Sequence, residues 1–424
     1  MGSPPFRLHV LAVVAALLAV AACGSRSPSI EGAPTSATAA TGGKGTLTVG
    51  LLNPLTGPFA ALGTDVNAGF ELYLKSKGGV LSGYGIKVVK EDEGTDPAQG
   101  TTKARQLVEQ SKAQMVVGLV NSAIAYAVAP YLEQADVPLL ITVAGADGLT
   151  RKKGGNTFRV SYTSSQDVMP LGEHTCKTLG HKKAAILGLD YSFGWEAAGG
   201  FARAYEDAGC AVVQEIYAPL ATQDWGPYVN QIKKDEADVV YVVAPGSDGI
   251  RLLKAYRDFG VQLPMVAHGS TVDETTLPTE AGTAEGVISS LHYTPQIKSP
   301  ANDALVAAFT QERKKSANQY ADDGWTAGMV LEQALAQIDG APTPESLRAA
   351  LTKVKVESPR GPVSFDAYGQ AVYNVYIRKV EQRDGAWANT IVSTIPEVGQ
   401  FFTYGEEKYL AFPGYDKLKG TWAK

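Results

Sequence analysis

The chain has 424 residues, with 38 Lys and Arg against 43 Asp and Glu, a formal net charge of −5 and 45% hydrophobic residues. That balance lies far from the high-charge, low-apolar regime of disorder, and its mild acidity argues against a broad electrostatic footprint for nucleic acid. The length suits two or three domains with real cores.

The N-terminus reads as an address. Arg7 precedes an apolar run over residues 10–22, too short to span a bilayer as a helix but the right length for the core of a signal peptide. Residues 1–22 are therefore expected to be a signal peptide. Ala21 and Ala22 are small, as a signal peptidase requires, and Cys23 follows directly. Val20-Ala21-Ala22-Cys23 resembles a bacterial lipobox, which implies lipidation of Cys23. A plain secretory signal with an incidental cysteine is the alternative. Residues 23–45 are dominated by Ser, Thr, Ala, Gly and Pro and read as a flexible, lipid-anchored linker. No later segment has the apolar length of a membrane span. The expected location is extracytoplasmic, with the membrane reached through the lipid anchor only.

From residue 46 onward, short apolar runs alternate with amphipathic stretches. Runs at 47–52, 86–91, 115–118 and 138–142 lack polar alternation, as do those at 184–189, 212–217, 239–243 and 264–267. Such runs predict parallel strands buried on both faces. Between them, helical patterns cover 63–75, 97–112, 166–179, 194–208 and 248–259. Two alternating series predict an α/β chain of two doubly wound parallel-sheet lobes. The pattern then changes. Residues 285–292 read as an extended crossover, 302–316, 322–338 and 344–352 as helices, and 362–365, 372–380 and 390–393 as strands. Lobe I is expected over 46–161 and 291–365, and lobe II over 162–290 and 366–424. Several hinge crossovers and a shared cleft beyond the carboxyl ends of the strands follow from that layout.

Cys176 falls late in a predicted helix and Cys210 just before a predicted strand, both near the amino ends of neighbouring strands. Export permits a disulfide between them; two free buried thiols are the alternative. Catalytic motifs are missing. There is no GxSxG, CxxC, HExxH, GxxxxGK[ST] or GxGxxG after a strand, and none of the five histidines forms a pair at metal-ligand spacing. The chain is expected not to be an enzyme and to need neither metal nor cofactor. Asp322-Asp323 and Glu406-Glu407 read as a helix start and a loop, with capping or solvated roles.

Five stretches carry a family resemblance: LLNPLTGPFAALGTDVNAGF, VVGLVNSAIAYAVAPYL, AAILGLDYSFGWEAAGGF, VVYVVAPGSDGIRLL and SPRGPVSFDAYGQAVYNVYIRKVE. Together they resemble the leucine/isoleucine/valine-binding proteins, type I periplasmic solute-binding proteins of ABC importers, from about Gly45 to the end. The resemblance implies two lobes closing on a small amino acid, with an ABC permease and its ATPase subunits as partners and no catalysis. A monomer is expected.

The family's binding positions transfer only in part. The turn Asn53-Pro54-Leu55-Thr56-Gly57-Pro58 resembles the one that leads to the cleft, and Leu62 stands near where an aromatic residue is common. Ser122 matches the serine whose hydroxyl takes the ligand carboxylate, at a helix start suited to an anion. An ordinary helix cap is its alternative. Ala144-Gly145-Ala146 matches a turn that offers main-chain groups, here without the usual hydroxyl. Phe193 replaces a tyrosine that packs over the ligand, and Pro245 sits in the loop of another aromatic. His268 falls where amino-acid binders carry the acid that neutralises the ligand ammonium. A buried ammonium without a charged partner is costly, and histidine supplies no fixed negative charge. Asp248 could compensate, but its place at a helix start favours capping. The resemblance and these departures imply an amino acid or a related small, apolar or aromatic carboxylate. A ligand-sensing receptor module on the same fold is the alternative function. Such modules usually continue into a transmembrane helix, whereas this chain stops at Lys424.

Overall fold

A computed structural model describes residues 42–383 and 385–417. The expected signal peptide, Cys23 and most of the linker lie outside them. Lobe I opens with β1 (Thr46–Asn53), α1 (Ala60–Ser76), β2 (Val80–Leu81), β3 (Tyr84–Asp92), α2 (Pro97–Arg105), β4 (Met115–Gly118), α3 (Ser122–Gln134), β5 (Leu139–Ile141) and β6 (Thr157–Arg159). The strand order is β2-β3-β1-β4-β5-β6, parallel except for β2. Asp96 caps α2 by accepting from the Ala98 and Gln99 N–H groups, and Pro97 fits its first turn. The helix expected to reach residue 112 loosens into a π turn at Gln106–Gln110.

Lobe II runs through α4 (Met169–Lys177), β7 (Lys183–Leu189), α5 (Ser192–Asp207), β8 (Ala211–Ala218), α6 (Gly226–Val229), β9 (Val239–Val243), α7 (Ser247–Asp258), β10 (Met265–His268), α8 (Leu277–Glu280) and β11 (Ile288–Leu291). The chain returns to lobe I as α9 (Pro300–Arg313), α10 (Gln319–Leu335) and α11 (Pro344–Leu351). It ends in lobe II with β12 (Lys355–Ser358), β13 (Gly361–Phe365), β14 (Ala371–Arg383), β15 (Ala386–Val398) and α12 (Glu406–Leu410). The second sheet is ordered β12-β13-β14-β11-β10-β9-β7-β8, with β15 paired to β14.

Two differences from the sequence reading concern this second sheet. Residues 285–292 are not a bare crossover, since β11 lies parallel to β10 and antiparallel to β14. The 362–365 strand, read as the end of lobe I, pairs as β13 with β14. The turn between them carries Gly369 at φ 78°, and so short a connection ties β13 to its successor.

Each sheet is buried on both faces, which explains its unbroken apolar runs. In β7, Ile186 packs with Phe201 and Tyr241, whereas Leu187 on the other face packs with Trp225 and Leu252. In lobe I, α1 meets α10 backbone to backbone. A Cβ on Gly69 would lie 2.0 Å from the Ala321 carbonyl oxygen, and one on Gly324 would lie 2.0 Å from that of Val66. Cys176 and Cys210 form a disulfide, with Cα atoms 5.9 Å apart, tying the end of α4 to the turn before β8. No helix among the described residues is long and apolar enough to cross a membrane.

The chain passes between lobes at 160–168, 292–299 and 352–354. A buried ionic cluster ties the first two of these passages to α10 and to the turn between β12 and β13. His292 Nδ1 lies 3.2 Å from Asp167, and its Nε2 lies 3.1 Å from Asp323. Arg360 Nε lies 2.7 Å from Asp322 and its Nη2 2.8 Å from Asp323. The expected capping or solvated role of Asp322 and Asp323 is therefore overturned. Asn318 caps α10 by accepting from the Ala321 N–H, which frees both aspartates to turn inward, where they are fully buried. Burial raises both carboxyls, against the pull of Arg360. Glu406 starts a short helix rather than a loop and pairs with Lys153 at 2.6 Å.

Candidate ligand-binding site

Loops at the carboxyl ends of strands in both sheets enclose a cavity of about 20 Å³. From lobe I come Phe59 and Leu62 at the start of α1, Val120 beyond β4, and Val143 and Gly145 beyond β5. Lobe II contributes Tyr191, Phe193 and Pro245, while Tyr162 enters from the first passage and Tyr320 from α10. Among the described residues, no acidic or basic side chain lines this cavity. Doubly wound sheets place their loops in this way, so the position follows from topology.

Four of the eight residues singled out in the sequence line the cavity: Leu62, Gly145, Phe193 and Pro245. Gly145 lies close against the first passage and Phe193 of lobe II. A Cβ there would lie 2.8 Å from Ser164 Oγ and 3.2 Å from the Phe193 ring, so a side chain would push on both. Ser122, Ala144 and Ala146 build the frame behind it. Asn121, not Ser122, caps α3, accepting from the Ala123 N–H. Ser122 Oγ instead accepts from the Ala146 N–H at 3.1 Å. Arg159, fully buried, donates from Nη1 to the Ala144 and Ala146 carbonyls at 2.8 and 2.9 Å. The Ala144 N–H donates to the Leu119 carbonyl. These backbone groups are thus engaged within lobe I, because a buried guanidinium must have acceptors around it.

Behind Val120 lies Glu93, also fully buried. Its carboxyl accepts from the Val120 and Asn121 N–H groups at 2.9 and 2.8 Å. Burial raises its pKa to about 8, although those two bonds favour the charged form.

His268 sits just behind the opposite wall, its ring centroid 5.1 Å from that of Tyr162 and 5.0 Å from that of Phe193. Its Nδ1 accepts from the Ser270 N–H at 3.1 Å. A backbone N–H can only donate, so the neutral ring carries its proton on Nε2. Burial, helped by the charge of Arg378, lowers its pKa to about 3. Nε2 has no hydrogen-bond partner among the described residues. The position therefore offers a neutral donor and no negative charge. Asp248 does not supply one either. It accepts from the Ala221 N–H at 2.9 Å and pairs with Arg251 at 2.7 Å, and the cap of α7 is Gly246.

His292, Asp322 and Asp323 bring possible ligand atoms within 4.8 Å of one another. The guanidinium of Arg360 already bridges the two carboxylates as an ion pair.

Most of the aromatic wall was missed in the sequence. Tyr191 stands two residues beyond the end of β7, and its proximity to a strand terminus was a readable signal. Tyr320 arrives from a helix that returns to lobe I far along the chain, and only the tertiary fold brings it here.

The model of a family described as periplasmic binding protein matches residues 46–386. Leu/Ile/Val-binding protein homolog 6 of Brucella melitensis is 30% identical over 364 residues, covering 83% of this chain and 92% of that protein. Among solved structures, an ABC-transporter solute-binding protein from R. palustris in complex with 4-hydroxybenzoate is 30% identical. It has a TM-score of 0.79 and covers 84% of this chain and 98% of its own. A second, from Rhodopseudomonas palustris BisB5 in complex with 3,4-dihydroxybenzoic acid, is also 30% identical, with a TM-score of 0.80 and the same coverage. The matched stretch contains every wall of the cavity, and the chain belongs to the periplasmic binding protein family, whose members are solute-binding proteins outside the cytoplasm.

Proposed function

We propose that this chain is the solute-binding component of an ABC importer and captures a small aromatic carboxylate between its lobes. The observation that carries the reading is the cavity wall. Tyr162, Tyr191, Tyr320, Phe59 and Phe193 surround it, and no acidic side chain lines it to meet an ammonium. Aromatic walls suit a benzoate ring, tyrosine hydroxyls suit its polar edge, and an uncompensated α-amino group would be penalised. The bound ligands of the two R. palustris proteins support the same ligand class. A cavity of about 20 Å³ holds about one water. A benzoate therefore enters with the lobes apart and is enclosed as they close on their three passages. The carboxylate is received around the Ser122, Gly145 and Ala146 turn once those groups rearrange, with His268 Nε2 as a further donor.

In this reading the closed protein delivers its solute to a permease with ATPase subunits, catalyses nothing and stays at the membrane through acylated Cys23. Calorimetric titration with 4-hydroxybenzoate, 3,4-dihydroxybenzoate and leucine tests the ligand. Binding of the aromatic acids at least tenfold tighter than leucine is expected. Tight leucine binding with the benzoates silent overturns the assignment. For the anchor, Cys23→Ala should abolish labelling by a fatty-acid analogue, and persistent label places the acyl chain elsewhere.

A further inference from the structure

One buried carboxyl joins the lobes outside the ligand cavity. Glu196 lies on α5 in lobe II and is 7% exposed. Its Oε1 accepts from the Tyr126 hydroxyl of α3 at 2.8 Å. Its Oε2 accepts from the Asp147 N–H at 2.9 Å and from Ser164 Oγ at 2.8 Å. The Tyr126 oxygen in turn accepts from the Gly148 N–H at 3.0 Å. Tyr126, Asp147 and Gly148 belong to lobe I and Ser164 to the first passage, so parting the lobes breaks the first two bonds together.

The chain end covers the same place. Tyr409, Phe412 and Tyr415 line a cavity of about 310 Å³ together with Tyr126, Asp147 and Glu196. Tyr409 shares a hydrogen bond with Ser165 at 2.8 Å, and the Arg151 guanidinium of lobe I lies 4.6 Å from its ring centroid. Glu406 reaches Lys153 of lobe I. On the other side, Arg203 of α5 lies 3.8 Å from the centroid of Phe412. This segment follows residue 386, where the family match ends.

We propose that Glu196 and the strap around Tyr409 form an interlobe clasp that holds the closed protein on its solute without touching it. Contacts made only when the lobes are together stabilise the closed state alone, and tighten every ligand by the same factor. Glu196 is a positioning residue in this scheme. The inference rests on the reading that a solute is enclosed between the lobes.

Stopped-flow binding of benzoate, 4-hydroxybenzoate and 3,4-dihydroxybenzoate to wild type, Glu196→Ala, Glu196→Gln and Tyr409→Phe tests it. Losing hydrogen bonds to a buried carboxylate should raise the dissociation rate of Glu196→Ala about tenfold to a hundredfold. Association should stay within about twofold, and the order of the ligands should not change. Glu196→Gln keeps one acceptor and should recover part of the loss, and Tyr409→Phe should show a smaller rise. An unchanged dissociation rate, a reordered ligand series or an equal fall in association overturns the clasp. If wild type binds none of these acids, the ligand reading fails and the clasp is read without ligand. Energy transfer between dyes on α2 and α7 should then report a larger mean separation in Glu196→Ala than in wild type, and equal separations overturn it.

Discussion

Two buried regions lie back to back in this molecule and solve burial in opposite ways. The ligand cavity is walled by aromatic and aliphatic side chains and carries no charge. The cluster at the passages between lobes buries Asp167, Asp322, Asp323 and Arg360 completely. Tyr162 touches both, with its ring centroid 5.1 Å from that of His268 and 5.4 Å from that of His292. Both lie away from bulk solvent, so polarity is decided by partners. At the passages each charge meets an opposite or hydrogen-bonding group fixed by the fold. In the cavity no acidic or basic side chain is present among the described lining residues. Charge in this protein therefore ties the path of the chain, while the cavity wall among the described residues is left without it.

The sharpest way to break that division is Arg360→Met. It leaves Asp322 and Asp323 buried without their cation, and breaking a buried pair costs about 3–5 kcal/mol. Urea denaturation should show that loss, with the affinity of the folded protein for 4-hydroxybenzoate changed only a few-fold. A collapse of affinity at intact stability would mean that the cluster serves the cleft directly.

A second stability change lies at the far end of lobe II. The Cys176–Cys210 bridge spans 34 residues, and a loop of that length is worth about 2–4 kcal/mol through the unfolded chain. Replacing both cysteines by alanine should lower the unfolding free energy from urea titration by that amount and leave ligand affinity unchanged. A lost affinity would show that the amino ends of β7 and β8 communicate with the cleft.

The ease of reading the two regions from sequence differs for the same physical reason. Strands such as Met115–Gly118 and Val239–Val243 were legible because a doubly buried parallel strand is a short, continuous apolar run. The start of the helix expected from residue 97 was legible from local chemistry, since Asp96 accepts from the Ala98 and Gln99 N–H groups ahead of Pro97. Leu62, Gly145, Phe193 and Pro245, taken over from the family resemblance, line the cavity, each standing just beyond a strand end or near a helix start. Asp322 and Asp323 were misread because their partners, His292 and Arg360, lie 30 to 38 residues away in sequence. An acidic pair at a helix start carries no mark that tells a solvated cap from half of a buried ion pair. Glu93 was missed likewise, since its donors at Val120 and Asn121 belong to another strand's loop.

Glu93 also gives the comparison a pH dimension, as a lone carboxyl behind the uncharged wall. Its folded pKa, about 8, lies above its ordinary value of 4.5. The stability this contributes is whole below the ordinary value and is lost as pH rises towards 8. Unfolding free energy should therefore fall between about pH 5 and about pH 8. In Glu93→Gln that fall should shrink by at least about 1 kcal/mol, the equivalent of one pKa unit. The variant starts from a lower baseline, because an amide offers only one oxygen to two N–H donors, so the slope is the readout. An unchanged slope would assign the pH dependence to other buried carboxyls with raised pKa, among them Glu196, Glu274 and the Asp322–Asp323 pair.

The smallest effect expected tests the wall itself. Phe193 packs against Tyr191, Tyr162 and His268 with centroids 5.0–6.2 Å apart, and its ring faces the space assigned to the ligand. Phe193→Leu keeps an apolar side chain of similar reach but removes the aromatic face. Ring pairing beyond simple burial is worth about 0.5–1.5 kcal/mol, so benzoate and 4-hydroxybenzoate should weaken about two- to tenfold. A saturated analogue, cyclohexanecarboxylate, should weaken less, because it has no ring quadrupole to lose. Calorimetry on both acids with both proteins separates the pairing from burial as a four-way cycle. Stability should fall far less than in Arg360→Met, because leucine fills much of the space and no charge is stranded. Equal losses for the aromatic and saturated acids would show that the wall selects by volume alone, and the contrast between a charged hinge and an aromatic cleft would reduce to one between charged and apolar.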